Sequence, residues 1–225
     1  MTRAGIGLAG RGGGRSAASL AARNASRIAG PTLPWNGSDP VTVAVWLALT
    51  CKKTLGLVGI GNVGSVVARC AVGIGMTVIA FDPFVGADKA SAMGVRLTDL
   101  DAVIRTSDFI SIHSPRTEKT KGMFNAECFA KMKKGVFLVN CARGGIVVEK
   151  DLRTALDSGI VRGAGVDVFD KEPPEDWSLA RHPKVIASPH IGASTAEAQV
   201  NVSVMIARQI GAYLTRGEVV NAVTA

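Results

Sequence analysis

The sequence predicts an α/β protein built on a doubly wound parallel sheet, and three observations lead to this prediction. Short apolar runs alternate with segments of helical spacing over most of the 225 residues. These runs show little polar alternation, which is typical of strands that are covered on both faces. The chain is also 47% hydrophobic, which is ample for one sizeable core.

The predicted elements start near Thr54 with a βαβ unit: a strand over residues 55–59, a helix over 62–75 and a strand over 77–81. Further strands are predicted at 109–113, 136–140, 163–169 and 184–190. Helices are predicted around 125–135 and 149–159, and a last helix begins near Ser194. Because parallel strands need a crossover, this alternation favours a sheet with helices on both faces.

The first 50 residues have a different composition, rich in Gly, Ala, Arg and Ser. We expect a short irregular or disordered leader over residues 1–50 and one folded domain over 51–225. The stretch VTVAVWLALT (41–50) is apolar but about half the length of a membrane span, so we expect it to pack on the domain. Arginine-rich, acid-poor composition is also typical of an organellar transit peptide. The expected location is the cytoplasm, or an organelle if residues 1–30 are such a peptide.

The charge distribution argues against a nucleic-acid partner. The net charge is +8, but residues 1–50 hold five Arg against one Asp, which is half of the excess. No basic run interleaved with aromatic residues follows. The cysteines show no CxxC spacing, so neither a disulfide framework nor a metal site is predicted. They are Cys51, Cys70, Cys128 and Cys141.

The glycine motif GIGNVG directly follows the first predicted strand and opens the first helix. Gly59 suits a tight turn, Gly61 lets the backbone approach a pyrophosphate, and Gly64 allows close helix packing. Asp82 ends the second strand, where a carboxylate can accept hydrogen bonds from ribose hydroxyls. The alternative is a glycine-rich turn beside a surface aspartate. No arginine occurs directly after Asp82, in FDPFVG, so this Rossmann-type pattern predicts NAD and disfavours NADP.

Four charged or titratable residues follow later predicted strands. Arg143 comes after one strand, Asp167 and Glu172 after the next, and His190 after the last. Taken singly, each has an ordinary explanation as a surface ion pair, a solvated loop or a structural histidine. Together they would meet at the carboxyl edge of the sheet, where ligands of such folds bind. An arginine can hold a carboxylate, a histidine can exchange a proton, and a glutamate can orient the imidazole.

Ordered motifs make the chain resemble the D-isomer-specific 2-hydroxyacid dehydrogenases over about residues 53–225. The motifs are GLVGIGNVG, FDP, HSPRTEKTKGMFN, MKKGVFLVNCARGGIV, ALDSGIVRGAGVDVFDKEPP and SPHIGASTAEAQ. The resemblance implies that Arg143 binds the substrate carboxylate and carbonyl, that His190 is the acid/base, and that Glu172 pairs with it. It implies an NAD-dependent oxidation of a D-2-hydroxy acid, first of all 3-phosphoglycerate, with glyoxylate and hydroxypyruvate reduction as alternatives.

The same resemblance implies the cofactor contacts. Asp167 would contact the nicotinamide carboxamide, and His113 and Pro115 would lie by the adenosine through their backbone. The remaining residues that would line the dinucleotide are Gly59, Gly61, Asn62, Val63, Gly64, Asp82, Cys141, Ala142 and Gly192.

Two functional classes remain open at this point. Members of the family carry a longer segment before this domain, which forms much of a second domain that closes over the substrate. Residues 1–50 do not match it convincingly, so the chain is either a dehydrogenase, possibly impaired, or an NAD(H)-binding dimerisation module without turnover. The family also implies a homodimer. The apolar stripe Val202, Ile206 and Ile210 on the last helix is expected to be partly exposed.

Overall fold

The structure is a computed structural model, and it describes residues 52–221. The leader predicted over residues 1–50, including the apolar stretch 41–50, lies outside the described residues. The boundary predicted at residue 51 lies there as well, and stays a prediction.

Seven parallel strands form one sheet in the order β3-β2-β1-β4-β5-β6-β7. The order reverses between β1 and β4, and such a switch point opens a crevice at the carboxyl ends of the strands. The strands are β1 Thr54–Val58, β2 Thr77–Phe81, β3 Val95–Leu97, β4 Phe109–Ile112, β5 Val136–Asn140, β6 Val161–Val166 and β7 Val185–Ala187.

Six helices are described: α1 Asn62–Gly73, α2 Ala87–Ser91, α3 Leu100–Thr106, α4 Ala126–Ala130, α5 Glu149–Asp157 and α6 Ala196–Arg216. Side chains cap three of them, because Asp99, Asn125 and Thr195 each accept a hydrogen bond from an N–H in the first turn. Helix α1 has no such cap. The first turn of α1 therefore keeps N–H groups that its own side chains do not satisfy.

The two faces of the sheet carry two separate cores. Leu55 and Leu57 of β1 join Ala68 and Ala71 of α1 in one core. Val58 points the other way, into a larger core with α3, α4 and α5. Residues that alternate along a strand face opposite sides, so burial of both sets follows from helices on both faces.

The predicted fold class is confirmed, and the differences concern ends and short elements. Strand β3 and helices α2 and α3 were not predicted, since three to seven residues are too few to show a period. The helix predicted around 125–135 ends at Ala130, because Met132 turns into the core and Lys133 accepts a hydrogen bond from Val136. The strands predicted at 163–169 and 184–190 leave the sheet after Val166 and Ala187.

Helix α6 stands apart from the two cores. Among its 21 residues only Ala212 is buried. The predicted stripe is exposed, with Val202 at 44%, Ile206 at 47% and Ile210 at 53%. Gly217 ends the helix in the left-handed conformation, at φ 66°.

Candidate active site

The glycine turn is tight at two of its glycines and open at the third. Gly59 has φ +91°, and a Cβ there would lie 2.9 Å from the carbonyl of His113. A Cβ on Gly64 would lie 2.2 Å from the carbonyl oxygen of Gly59. Nothing lies within 4 Å of the Cβ position of Gly61. The turn is therefore packed against the protein at Gly59 and Gly64 and leaves room for a ligand beside Gly61.

The amino end of α1 suits an anion. The helix starts at Asn62, and its N-cap residue, Gly61, has no side chain that could accept a hydrogen bond from the first turn. That turn carries no acidic residue. Asn62 and Val63 are exposed beside it. Free N–H groups and the helix dipole both favour negative charge at such an end.

Asp82 is tied to the glycine turn by hydrogen bonds. Its Oδ2 accepts from the backbone N–H of Ile60 at 2.8 Å, and its Oδ1 accepts from Phe84 at 2.9 Å. The residue stays partly exposed. Each carboxylate oxygen has a second lone pair, which remains for a ribose hydroxyl.

His113 lies between the glycine turn and the turn after β5. Its Nε2 lies 2.9 Å from the hydroxyl of Ser111, and burial lowers the pKa of the imidazole. A neutral, half-buried ring is consistent with a structural role. The exposed Pro115 continues the wall of a cleft of about 280 Å³. That cleft is lined by Val63, His113, Ser114, Pro115, Cys141, Ala142 and Arg143.

The side chain of Asn140 shapes the turn that carries Arg143. Its Oδ1 accepts from Ala142 N–H, and its Nδ2 donates to the Arg143 carbonyl, both at 3.2 Å. The exposed Arg143 donates to the neighbouring carbonyl of Ala142 at 2.7 Å. It pairs with no carboxylate among residues 52–221, so its guanidinium is available to an anion. Burial and the nearby charge of Asp167 raise the pKa of the Cys141 thiol.

The Arg143 turn packs closely on the loop that follows β6. A Cβ on Gly144 would lie 1.8 Å from the carbonyl oxygen of Phe169. A Cβ on Gly145, whose φ is +74°, would lie 2.7 Å from Asp170 and 3.0 Å from the guanidinium carbon of Arg116. Arg116 and Asp170 form an ion pair of 3.5 Å over this glycine. Only glycines allow this approach.

Glu172 and His190 form a hydrogen-bonded pair. Nδ1 of His190 lies 2.7 Å from Oε2 of Glu172, and Oε1 of Glu172 accepts from Phe169 N–H at 3.0 Å. These two hydrogen bonds hold the pKa of Glu172 below its ordinary value. The side chains are 48% and 38% exposed for His190 and Glu172. The pair also borders an apolar cleft of about 470 Å³ that contains Pro173, Trp177 and Ala187.

Asp167 is buried beneath the loop that carries His190. Oδ1 accepts from Ser188 Oγ at 2.5 Å and from Ile191 N–H at 3.0 Å, and Oδ2 accepts from Gly192 N–H at 3.0 Å. Burial works to raise the pKa of this carboxyl, but the three donors outweigh it and the pKa lies below its ordinary value. The carboxylate is thus ionised at neutral pH without a cationic side chain bonded to it.

The predicted site residues therefore gather along one edge of the sheet. Gly59, Asp82, His113, Arg143, Asp167 and His190 follow β1, β2, β4, β5, β6 and β7 in turn. Of these residues, His113 and Arg143 line the first cleft, and His190, with Glu172, lines the second. This edge therefore carries an anion site, a cationic side chain and a group that can exchange a proton.

A family model decides the assignment. The model described as "D-isomer specific 2-hydroxyacid dehydrogenase, NAD binding domain" matches residues 46–192. The chain belongs to this family. The open space at Gly61, the uncapped α1 and the carboxylate of Asp82 fit the NAD that the family binds.

Two curated relatives of this dehydrogenase domain are D-3-phosphoglycerate dehydrogenases. D-3-phosphoglycerate dehydrogenase from Bacillus subtilis is 50% identical over 158 residues, which cover 70% of the chain and 30% of the relative. The chloroplastic D-3-phosphoglycerate dehydrogenase 2 from Arabidopsis thaliana is 52% identical over 167 residues, 74% of the chain and 27% of the relative. The chain thus spans less than a third of the length of these relatives.

Solved dehydrogenases of this family share the fold. A glyoxylate reductase from Paecilomyes thermophila superposes with a TM-score of 0.73 at 28% identity, covering 91% of this chain and 61% of that one. D-lactate dehydrogenase with NAD+ from Lactobacillus jensenii gives a TM-score of 0.72 at 27% identity, covering 93% and 66%.

Three residues of this dehydrogenase site were not singled out from the sequence. Asn140 and Ser188 shape the turns beside Arg143 and His190, and Ser111 bonds to His113. Polar residues at the ends of apolar runs, as in VFLVN and KVIAS, were the available signal. Within residues 52–221 no cluster of three or more potential metal ligands occurs, and no helix there is long and apolar enough to span a bilayer.

Proposed function

We propose that the chain carries the NAD-binding and catalytic half of a D-2-hydroxyacid dehydrogenase that interconverts 3-phosphoglycerate and 3-phosphohydroxypyruvate. The observation that carries the proposal is the 2.7 Å contact between His190 Nδ1 and Glu172, at the same sheet edge as an arginine without a carboxylate partner. These are the groups that a 2-hydroxy acid requires.

In this proposal Arg143 binds the substrate. A guanidinium presents parallel N–H donors that match a carboxylate, so it can hold the substrate carboxylate and the neighbouring carbonyl oxygen. Asn140 donates to the carbonyl of Arg143 and accepts from the N–H of Ala142, and these two hydrogen bonds fix the backbone from which Arg143 projects. Orientation of the substrate relative to the cofactor depends on this turn.

His190 moves the proton. With Nδ1 directed at Glu172, Nε2 is the nitrogen left to take the hydroxyl proton in oxidation or to return it in reduction. Glu172 fixes the ring orientation and stays ionised, since its pKa is lowered. Bound NAD supplies the hydride acceptor.

The substrate class rests on the relatives. The curated matches at about 50% identity are D-3-phosphoglycerate dehydrogenases, whereas the glyoxylate reductase and lactate dehydrogenase are 28% and 27% identical. We therefore place 3-phosphoglycerate first, which would assign the chain to the first step of serine biosynthesis. Glyoxylate or hydroxypyruvate reduction is the alternative.

A second candidate is a module that binds NAD(H) and dimerises but does not turn over. The exposure of both members of the His190–Glu172 pair favours it, because an open site keeps water around the substrate. A homodimer belongs to both proposals. The cytoplasm is the proposed location, with an organelle as the alternative.

Steady-state oxidation of NADH with 3-phosphohydroxypyruvate separates the two candidates. We expect turnover by the purified 225-residue chain to lie below the roughly 10 per second that is typical of enzymes, because the pair is exposed. Arg143→Gln and His190→Gln should abolish it, whereas Arg105→Gln, at an exposed ion pair on α3, should not. Tight NADH binding without oxidation by any of the three keto acids would support the module.

A further inference from the structure

The loop that carries His190 adopts a conformation that the histidine itself disfavours. His190 has φ +54°, in the left-handed region where a side chain costs about 1–2 kcal/mol. Neighbouring contacts must therefore impose this conformation. The contacts lie on the residues before and after His190.

Three donors around His190 converge on one carboxylate. They are the hydroxyl of Ser188, two residues before it, and the backbone N–H groups of Ile191 and Gly192, directly after it. All three bond to Asp167, which is 4% exposed. Since a buried carboxylate without a cation needs such donors, the loop and Asp167 stabilise each other.

Of these three donors, Ser188 is the one that donates from its side chain. Its backbone N–H continues the β7 ladder to the carbonyl of Val166, so Ser188 is the last residue fixed by the sheet. Its hydroxyl donates to Oδ1 of Asp167 at 2.5 Å, and this second hydrogen bond holds the start of the loop against β6. The ring of His190 then meets Glu172 at 2.7 Å.

We propose that Ser188 is a positioning residue, which acts through Asp167 to hold His190 in the conformation that meets Glu172. Ser188 touches neither the ring nor the glutamate in the described contacts; it sets the backbone from which the ring projects. The inference rests on the proposed role of His190, but its test does not require turnover.

The test uses the imidazole protons of the whole chain, which contains only three histidines. A proton on Nδ1 that is bonded to a carboxylate exchanges with water more slowly than that of an unbonded imidazole and gives a low-field NMR signal, which is assigned to His190 by its loss in His190→Gln. In Ser188→Ala we expect this proton to exchange at least about tenfold faster, because one charge-assisted donor to Asp167 is lost.

Matched variants separate positioning from general damage. Ser188→Thr keeps a hydroxyl and should restore the slow exchange. Ser158→Ala removes a hydroxyl at the end of α5 that donates to the carbonyl of Ala155, and should leave the signal unchanged. Asp167→Asn should behave as Ser188→Ala does or more severely.

Two outcomes in the variants overturn the inference: an unchanged signal in Ser188→Ala, or equal loss in Ser158→Ala. Absence of the signal in the unsubstituted chain would overturn it as well. If the signal behaves as expected while no keto acid oxidises NADH, the proposed function fails and the positioning role stands.

Discussion

The carboxylate of Asp82 accepts a hydrogen bond from the backbone N–H of Ile60, 2.8 Å away in the glycine turn. One residue therefore both fixes the glycine turn and carries the carboxylate that is predicted to contact the ribose. Asp82→Ala should for this reason weaken NADH binding by more than a ribose contact alone, about tenfold or more. Separate fluorescence titrations with NADH and with NADPH measure the two affinities.

The same titration tests the cofactor preference. The unsubstituted chain should bind NADH more tightly than NADPH, because a 2′-phosphate would meet the carboxylate of Asp82, and residues 83–86 directly after it contain no arginine or lysine. Asp82→Ala should reduce the difference between the affinities for NADH and NADPH. Asp88→Ala on α2 should leave this difference unchanged. Equal or reversed affinities in the unsubstituted chain would contradict the assignment to NAD.

Two glycines of the turn should separate binding from folding. Gly61→Ala adds a Cβ where nothing lies within 4 Å and where φ is −66°, so the thermal midpoint should stay within a few degrees. NADH affinity should nevertheless fall at least about tenfold, because the methyl group occupies the approach of the pyrophosphate.

Gly64→Ala should lower both the thermal midpoint and the affinity for NADH. Its Cβ would lie 2.2 Å from the Gly59 carbonyl oxygen, so α1 must move away from β1. Destabilisation by about 2 kcal/mol is expected, in line with other cases of overpacking. Thermal melts of both variants, followed by NADH titration, provide the comparison; a Gly61→Ala melt as low as that of Gly64→Ala would refute the proposed open space.

Stability should decline in acid through Asp167. Its folded pKa lies below the ordinary 3.8, so the unfolded chain binds more protons and stability falls as the pH drops from about 5 through the folded pKa. Asp167→Asn should be less stable at pH 7 and should show a flatter acid limb of Tm against pH. Asp88→Asn serves as the control. If Tm falls with decreasing pH in the same way in the unsubstituted chain and in both variants, Asp167 does not contribute to the loss of stability in acid.

Association should involve two surfaces of different kinds. We expect a homodimer by analytical ultracentrifugation at micromolar concentration, formed through the nucleotide domain as the family implies. The exposed stripe of α6 should add non-specific association. Ile206→Lys should remove the larger species and keep the dimer. A sample that is monomeric throughout would contradict the first expectation.

The sequence predicted the long elements of the sheet because buried parallel strands are continuous apolar runs. The strands around Leu57 and Leu138 are of this kind, and their ends were placed within one residue. Short elements such as Val95–Leu97 were missed, because their strand state depends on pairing with β2, which local sequence does not show.

Sequence reasoning also predicted which residues would meet at one edge, since strand ends fix that edge. Arg143 and His190 each lie three residues beyond the end of a strand, β5 and β7 respectively. The backbone hydrogen bonds of Asp167 were not predictable, because they depend on how residues 188–192 fold back over β6. The sequence suggested a cofactor contact for Asp167, and that role stays a prediction.

The close approach of Gly144 to the carbonyl of Phe169 has a consequence for recombination between homologues. Gly144 packs on the carbonyl of Phe169, and the N–H of Phe169 donates to Glu172. The turn carrying Arg143 and the loop carrying Glu172 are therefore the two halves of one tightly packed contact. Chimeras that exchange residues 141–148 alone inherit a mismatch wherever the donor has a larger residue at position 144. Crossover points outside residues 140–172 keep both halves from one parent, and these are the places where libraries of such enzymes should be joined.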